Sequence, residues 1–196
     1  LILWTEKKGI TFLVDESFVD FADEAGASLL DEDLLRSHPH LIVVKSISKS
    51  YGVPGLRLGI AASGDTALID RLKKDVSIWN INSVGEFYMQ IEEKYRKDSA
   101  AALARVRAER ERFAGVLASI PGLRVFPSQA NYLMAELISS EDPLDGQPAS
   151  GAKRPPMTAA RLTEELLTRK NILIKDLTSK MGADGRQFLR IAVRNE

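Results

Sequence analysis

The segment Ser46-Ile47-Ser48-Lys49-Ser50-Tyr51-Gly52-Val53-Pro54-Gly55-Leu56-Arg57-Leu58-Gly59 directly follows an apolar, β-branched run, Leu41-Ile42-Val43-Val44. Such a run suits a strand buried on both faces. Lys49 therefore stands just past the end of a buried strand, with hydroxyls at Ser46 and Ser48 before it and Arg57 after it among glycines. Those are the parts of a site for a phosphate-bearing electrophile. A desolvated lysine beside other cations is held as a neutral amine that can form a Schiff base. Serine hydroxyls, backbone amides and a guanidinium fork suit a phosphate dianion. The glycines of 52–59 match neither a dinucleotide fingerprint nor a P-loop lysine motif, which disfavours a nucleotide role.

Outward from this segment the pattern is that of an α/β protein. Residues 10–15 (ITFLVD) and 56–63 (LRLGIAAS) are further apolar runs of strand type. Between the first strand and the run at 41–47, Leu29, Leu30, Leu34 and Leu35 fall at helical spacing and Pro39 ends the pattern. A helix is expected after Gly64-Asp65, and a longer one over 84–119, stopped by Ile120-Pro121-Gly122. Downstream, strands are expected near 124–126, 131–138, 172–175 and 188–193, with a helix over 158–170, which makes a small α+β layer. The domain reading is 1–83 as part of a large sheet domain, 84–119 as an interdomain helix and 120–196 as a small C-terminal domain. Residues 139–156, rich in Pro, Gly, Ser and charge, read as a mobile loop within the last.

Composition sets the bounds. The 196 residues carry 27 Lys+Arg and 27 Asp+Glu, so there is no net field for nucleic acid or an anionic membrane. At 44% hydrophobic the chain can bury a sizeable core. The absence of cysteine excludes disulfides, thiolate metal sites and a cysteine nucleophile, and fits a reducing, cytoplasmic compartment. No run approaches the roughly 20 apolar residues of a membrane helix. His38-Pro39-His40 offers two imidazoles, too few for a metal site on their own, and no metal is expected. The interleaved charges of 105–112 read as a solvated helix face, and the Tyr88, Ile91, Tyr95 stripe as packing.

The 46–59 segment resembles the lysine segment of fold type I pyridoxal-phosphate enzymes, whose pattern is a hydroxyl residue, any residue, Ser, Lys, then Gly-Leu-Arg-x-Gly. The resemblance implies that Lys49 carries pyridoxal 5'-phosphate as a Schiff base, with Ser46, Ser48 and Arg57 on the cofactor phosphate. Two more segments agree in order. Val14-Asp15-Glu16-Ser17-Phe18 resembles the strand whose aspartate pairs with the pyridine nitrogen, which assigns that task to Asp15. Phe188-Leu189-Arg190-Ile191 resembles the strand whose arginine clamps the substrate carboxylate, which assigns Arg190. Singly these are weak signals, since Asp15 could cap a turn, Ser46 and Ser48 could satisfy strand-end amides, and Arg190 could sit in a surface pair. Their joint order favours the site. The implied fold is the C-terminal part of a large, mostly parallel sheet domain followed by a small α+β domain.

Within the class I/II aminotransferases, Asp-Glu-Ser-Phe, Pro54-Gly55-Leu56-Arg57-Leu58-Gly59, Ala130-Asn131-Tyr132-Leu133 and Ile172-Leu173-Ile174-Lys175 resemble the histidinol-phosphate aminotransferase and threonine-phosphate decarboxylase subgroup. That implies an aminotransferase acting on an amino acid, with a phosphorylated one in view and a homodimeric full-length protein; a threonine-phosphate-type decarboxylase is the alternative. Phe18 stands where many aminotransferases have tyrosine, a departure toward the decarboxylase side. Lys175 stands where both relatives place an arginine for the substrate phosphate, so charge is kept and the fork is not. The family's glycine-rich phosphate turn and its ring-stacking aromatic belong upstream of the Asp15 segment. The expectation is therefore a piece of a longer enzyme, with poor cofactor affinity in isolation, and a non-catalytic interaction fragment is the reading from another class.

Overall fold

The computed structural model describes residues 1–24, 26–138, 157–181 and 184–194. The loop expected over 139–156 lies outside the described residues. The chain divides into two compact units, Leu1–Ala104 and Arg105–Glu196.

The first unit is built on a three-stranded sheet in the order β1 (Phe12–Asp15), β2 (Leu41–Ser46), β3 (Gly59–Ser63). The strand pair β1–β2 is parallel, with Asp15 opposite Val44. A parallel pair needs a crossover, which the stretch containing α2 (Glu32–Ser37) supplies. The β2–β3 pair is antiparallel, with Ser46 opposite Gly59, so this portion of the expected mostly parallel sheet is mixed. Leu41 and Val43 are fully buried, which is why the central strand is apolar and β-branched. A Cβ on Gly59 would come within 3.2 Å of the Lys45 carbonyl oxygen, so glycine permits the close approach of β3 to the end of β2.

Three helix starts in this unit carry a side-chain cap. Asp31 accepts from the Leu34 amide at 2.8 Å, and Asp65 from that of Leu68 at 2.9 Å at the start of α4 (Thr66–Asp75). Asn82 does the same for the Gly85 amide at 2.8 Å, opening α5 (Ser83–Ile91), and its Nδ2 donates to the Leu56 carbonyl at 2.9 Å. That second bond ties α5 to the loop that carries Arg57. A short helix not expected from the sequence, α1 (Ile2–Lys7), precedes β1, and a further short one, α3 (Ile47–Ser50), follows β2 directly. The helix expected over 84–119 is interrupted. A 3-10 turn at Glu92–Tyr95 separates α5 from α6 (Arg96–Ala118), because Ile91 at φ −101°, ψ −11° ends the regular α-helical ladder.

The second unit is an antiparallel sheet, β4 (Leu123–Val125), β5 (Tyr132–Leu137), β7 (Gln187–Ala192) and β6 (Lys175–Asp176), in that spatial order. One cluster of its core joins Leu117, Leu133 and Val193 with Val106 and Phe113 of α6. Another joins Ala159, Ile174 and Leu189 with Leu162 and Leu166 of α7 (Ala159–Lys170). The strand expected over 172–175 begins only at Lys175. Asn171 takes the left-handed conformation (φ 55°) and the Ile172 amide bonds back to the Leu166 carbonyl, so those residues still belong to the helix cap. A short helix, α8 (Thr178–Met181), follows β6. The charged run 105–112 is not solvated throughout: Arg110 is buried and donates to the Ala130 carbonyl at 3.2 Å.

Glu136 on β5 is buried and gripped by two arginines. Arg186 Nε meets Oε1 at 2.6 Å and Nη2 meets Oε2 at 2.8 Å, while Arg124 on β4 also bonds Oε2. Hydrogen bonding from Arg186, aided by Arg124, outweighs burial and holds the Glu136 carboxyl below the usual carboxylate range. A depressed pKa contributes stability that is complete above the unfolded value, about 4.3, and is lost as pH falls through the folded value.

Three outcomes are expected. In urea denaturation, stability of the Arg105–Glu196 unit falls from pH 5 toward pH 3, and Arg186→Met flattens that dependence. In the first unit, a Cβ on Gly64 would stand 2.0 Å from the Leu35 carbonyl oxygen, so Gly64→Ala should cost about 3 kcal/mol in the same assay. Gly115→Ala, inside α6 with open space around it, should instead stabilise by roughly 0.5–1 kcal/mol.

Candidate active site

The end of β1 distributes Asp15, Glu16 and Ser17 to separate tasks. Asp15 is exposed and accepts the Ser17 amide at 2.9 Å and the Ser17 hydroxyl at 2.5 Å, both on Oδ1. This is an Asx turn closed by an extra hydroxyl bond. The same Ser17 oxygen accepts the Ser46 amide at 3.1 Å, which joins the end of β1 to the end of β2. Glu16 points the other way and is buried, its two oxygens taking the Leu29 amide at 2.5 Å and the Ser28 hydroxyl at 2.6 Å. The Ser17 hydroxyl, then the Ser17 amide, hold the Asp15 carboxyl below its ordinary range against a small burial effect, and the Lys49 charge adds to them. Asp15 is therefore a carboxylate at neutral pH, suited to face a protonated ring nitrogen.

Lys49 sits in the single turn of α3, immediately after β2. Its side chain is exposed and its ammonium lies 4.9 Å from the centroid of the Phe18 ring, a cation–π contact. Phe18 in turn packs near Phe21, with centroids 6.4 Å apart. Ser46 is the N-cap of α3, yet its side chain makes no capping bond. Ser48 is 4% exposed and its hydroxyl has no hydrogen-bond partner among the described residues. A buried orphan hydroxyl is uncommon and costly. The plainer reading of both serines as strand-end caps thus loses its basis, and a phosphate oxygen is a fitting acceptor for the Ser48 hydroxyl.

Arg57 takes a left-handed conformation (φ 58°), rare for a residue with a Cβ, and its Nη1 donates to the Pro54 carbonyl at 3.3 Å. Asp15, Ser17, Ser46 and Arg57 line one open cleft of about 430 Å³, floored by Val44, Leu58 and Ala61; Ser48 and Lys49 are outside its lining. The carboxylate and guanidinium on one cleft, with a lysine whose charge reaches the carboxylate, suit a pyridoxal phosphate. Asp15 would meet the ring nitrogen, Ser46, Ser48 and Arg57 the phosphate, and Lys49 the carbonyl carbon.

The two substrate-side candidates lie in the second unit. Lys175 on β6 and Arg190 on β7 are register partners, so their side chains share one sheet face, and both are exposed. The Arg190 guanidinium stacks over Tyr132 of β5 at 5.2 Å from the ring centroid. Such a pair of cations can hold an anionic ligand, with Arg190 able to take a carboxylate bidentately. Sequence reasoning missed Ser17, which makes the turn and the inter-strand tie; the Asp-x-Ser spacing, a turn signature, could have disclosed half of that role. It also missed Tyr132 as the platform under Arg190.

Ser17→Ala should raise the Asp15 pKa toward the ordinary carboxylate value while Lys49→Met raises it less, as read by carbon-detected NMR titration of the Asp15 carboxyl. An unchanged Asp15 titration in Ser17→Ala would show that the hydroxyl does not set it.

The family profile described as aminotransferase class I and II matches residues 1–196, the whole chain. The chain is 35% identical over 186 residues to CMP-5'-(3-aminopropyl)phosphonate synthase of Streptomyces rubellomurinus, covering 95% of this chain and 27% of that protein. It is 33% identical over 186 residues to L-serine phosphate decarboxylase of Sulfurospirillum multivorans, covering 93% and 43%. A solved decarboxylase from Sulfurospirillum multivorans superposes with a TM-score of 0.74 at 32% identity, over 93% of this chain and 48% of that one. The chain thus spans less than half the length of these relatives. The histidinol-phosphate aminotransferase of Clostridium acetobutylicum, with a TM-score of 0.78 at 23% identity over 100% of this chain and 52% of that one, shares the fold. With its fold that of fold type I pyridoxal-phosphate enzymes and its whole length matched by one family, the chain belongs to the class I and II aminotransferases.

Proposed function

We propose that the chain is the lysine-bearing part of a pyridoxal 5'-phosphate enzyme acting at Cα of an amino acid, with transamination to a 2-oxo acid as its reaction. The observation that carries this is the grouping of Asp15, Ser46 and Arg57 on one cleft, with the Lys49 charge acting on Asp15 and a buried Ser48 hydroxyl that has no partner among the described residues. When bound, the cofactor supplies an electron sink for the bond that breaks at Cα. Lys49 anchors it through its amine and, once released, takes and returns the Cα proton. Asp15 keeps the ring nitrogen charged, and Ser46, Ser48 and Arg57 hold the phosphate. Arg190 takes the substrate carboxylate, and Lys175, its register partner, takes an anionic group at the other end of the substrate.

A second reading, decarboxylation of a phosphorylated amino acid, is favoured by a specific observation. Phe18, packed under Lys49, cannot donate the hydrogen bond that tyrosine would give at that place. The 33% identity to an L-serine phosphate decarboxylase points the same way. Both readings use the same residues and differ in which Cα bond is broken. Ile78 and Trp79, 95 and 91% exposed, suit burial against a second subunit, and a homodimer is the proposed assembly. Among the described residues no helix is long and apolar enough to cross a membrane, and the cysteine-free sequence suits the cytoplasm as the proposed compartment.

The test is an absorbance titration with pyridoxal phosphate, borohydride trapping and peptide mapping, on the full-length parent protein and its Lys49→Ala variant. A visible band lost in the variant, with the reduced adduct on Lys49, is expected; an adduct elsewhere or an undiminished band would overturn the assignment. Incubation of the cofactor-loaded protein with serine phosphate and a 2-oxo acid then separates the reactions. Transamination yields the new amino acid without carbon dioxide, and decarboxylation yields carbon dioxide with no amino transfer.

A further inference from the structure

Glu6, in the last turn of α1, lies beside the two histidines that precede β2. One ring nitrogen each of His38 and His40 and a Glu6 carboxylate oxygen all fall within 4.8 Å of one another. His38-Pro39-His40 alone supplies too few ligands for an ion; the fold adds a carboxylate from a helix that the sequence pattern did not disclose. We propose that Glu6, His38 and His40 form a binding site for a divalent transition-metal ion of the zinc class, which clamps α1 to the entry of β2.

Three observations support this. Two imidazoles and a carboxylate are a donor set that suits zinc, cobalt or nickel and leaves a fourth position for water. His38 Nδ1 stands 3.2 Å from Glu6 Oε2, close to the roughly 3.3–3.5 Å that separates two ligand atoms on a tetrahedral zinc ion. Yet that nitrogen is buried and makes no hydrogen bond of proper geometry among the described residues, so it faces the carboxylate without being satisfied by it. The second ring is already fixed. His40 Nε2 lies 3.1 Å from the Ile2 carbonyl oxygen and 3.2 Å from the Thr5 hydroxyl, both on α1, and the two imidazoles meet edge to face at 5.9 Å. An outer contact of this kind orients ligating histidines. The Glu6 side chain is 42% exposed, which leaves its carboxylate room to adjust toward the two rings.

The experiment is a zinc titration of the untagged chain by calorimetry, repeated with Co²⁺ by visible absorbance, on the wild type, Glu6→Gln and His38→Gln. Expected are one ion per chain, a tetrahedral-type cobalt band, and a loss of affinity of at least tenfold in each variant. Glu6→Gln alters an exposed side chain and should leave the circular dichroism spectrum unchanged, which separates loss of a ligand from loss of fold. A second readout is thermal: zinc should raise the melting temperature of the wild type and not of His38→Gln. No stoichiometric binding, or binding undiminished in both variants, would overturn the site. Since none of these measurements involves pyridoxal phosphate or Lys49, the result stands apart from the proposed enzymatic reading.

Discussion

A single hydroxyl organises the site. Ser17 Oγ donates to Asp15 and accepts from the Ser46 amide, so the carboxylate at the end of β1 and the start of the lysine turn after β2 are fixed to the same atom. β1 and β2 are parallel neighbours whose ladder brings Asp15 opposite Val44. The next amide, Glu16, still bonds the Val44 carbonyl at 2.8 Å; beyond it the ladder is replaced by the Ser17 bridge. A bond to an exposed carboxylate contributes only about 1 kcal/mol to stability. Its importance is geometric, because it joins the ends of β1 and β2 beyond the last bond of the ladder.

The rest of the first unit supports those ends from behind. The buried Glu16 carboxylate gathers Ser28 and Leu29, which pins the crossover that a parallel pair requires. On the far side, Asn82 caps α5 and holds the Leu56 carbonyl, one residue before the left-handed Arg57. Lys45, one residue before Ser46, is held by Asp20 at 2.6 Å, so the cation nearest the lysine turn is neutralised by its own partner. In this unit the left-handed conformation of Arg57 sets a guanidinium on the lining of the cleft.

Legibility in the sequence followed the range of the interaction. The lysine segment could be read because strand, turn and glycine signals are local, and the caps at Asp31, Asp65 and Asn82 are likewise decided within four residues. Strand partners and the antiparallel turn of β3 depend on the sheet, which a single run of apolar residues does not encode. Arg110 looked solvated because charge patterning is blind to a carbonyl twenty residues away that needs a donor. Glu6 and His38 are 32 positions apart, and only the crossover brings them to 3.2 Å. Asp15 was identified for its carboxylate; what holds that carboxylate, Ser17, was adjacent in the sequence and still overlooked, since its second bond reaches the other strand.

The division between transamination and decarboxylation turns on how the substrate is held more than on the lysine site itself. Whichever bond at Cα stands perpendicular to the cofactor ring is the one weakened, so the residue that fixes the carboxylate selects the reaction. Arg190 is the candidate, and its guanidinium plane is set by Tyr132 beneath it, while Lys175 beside it offers a point charge without a fork. A phosphate placed on Lys175 would therefore be held by charge and swivel freely, leaving the carboxylate grip on Arg190 to decide the angle at Cα. In the first unit Phe18, lacking a hydroxyl, offers Lys49 only a ring face, and on the proposed reading it would give the cofactor one hydrogen bond fewer than tyrosine. On the proposed reading, reaction choice would rest on two aromatic contacts, Tyr132 under Arg190 in one unit and Phe18 under Lys49 in the other.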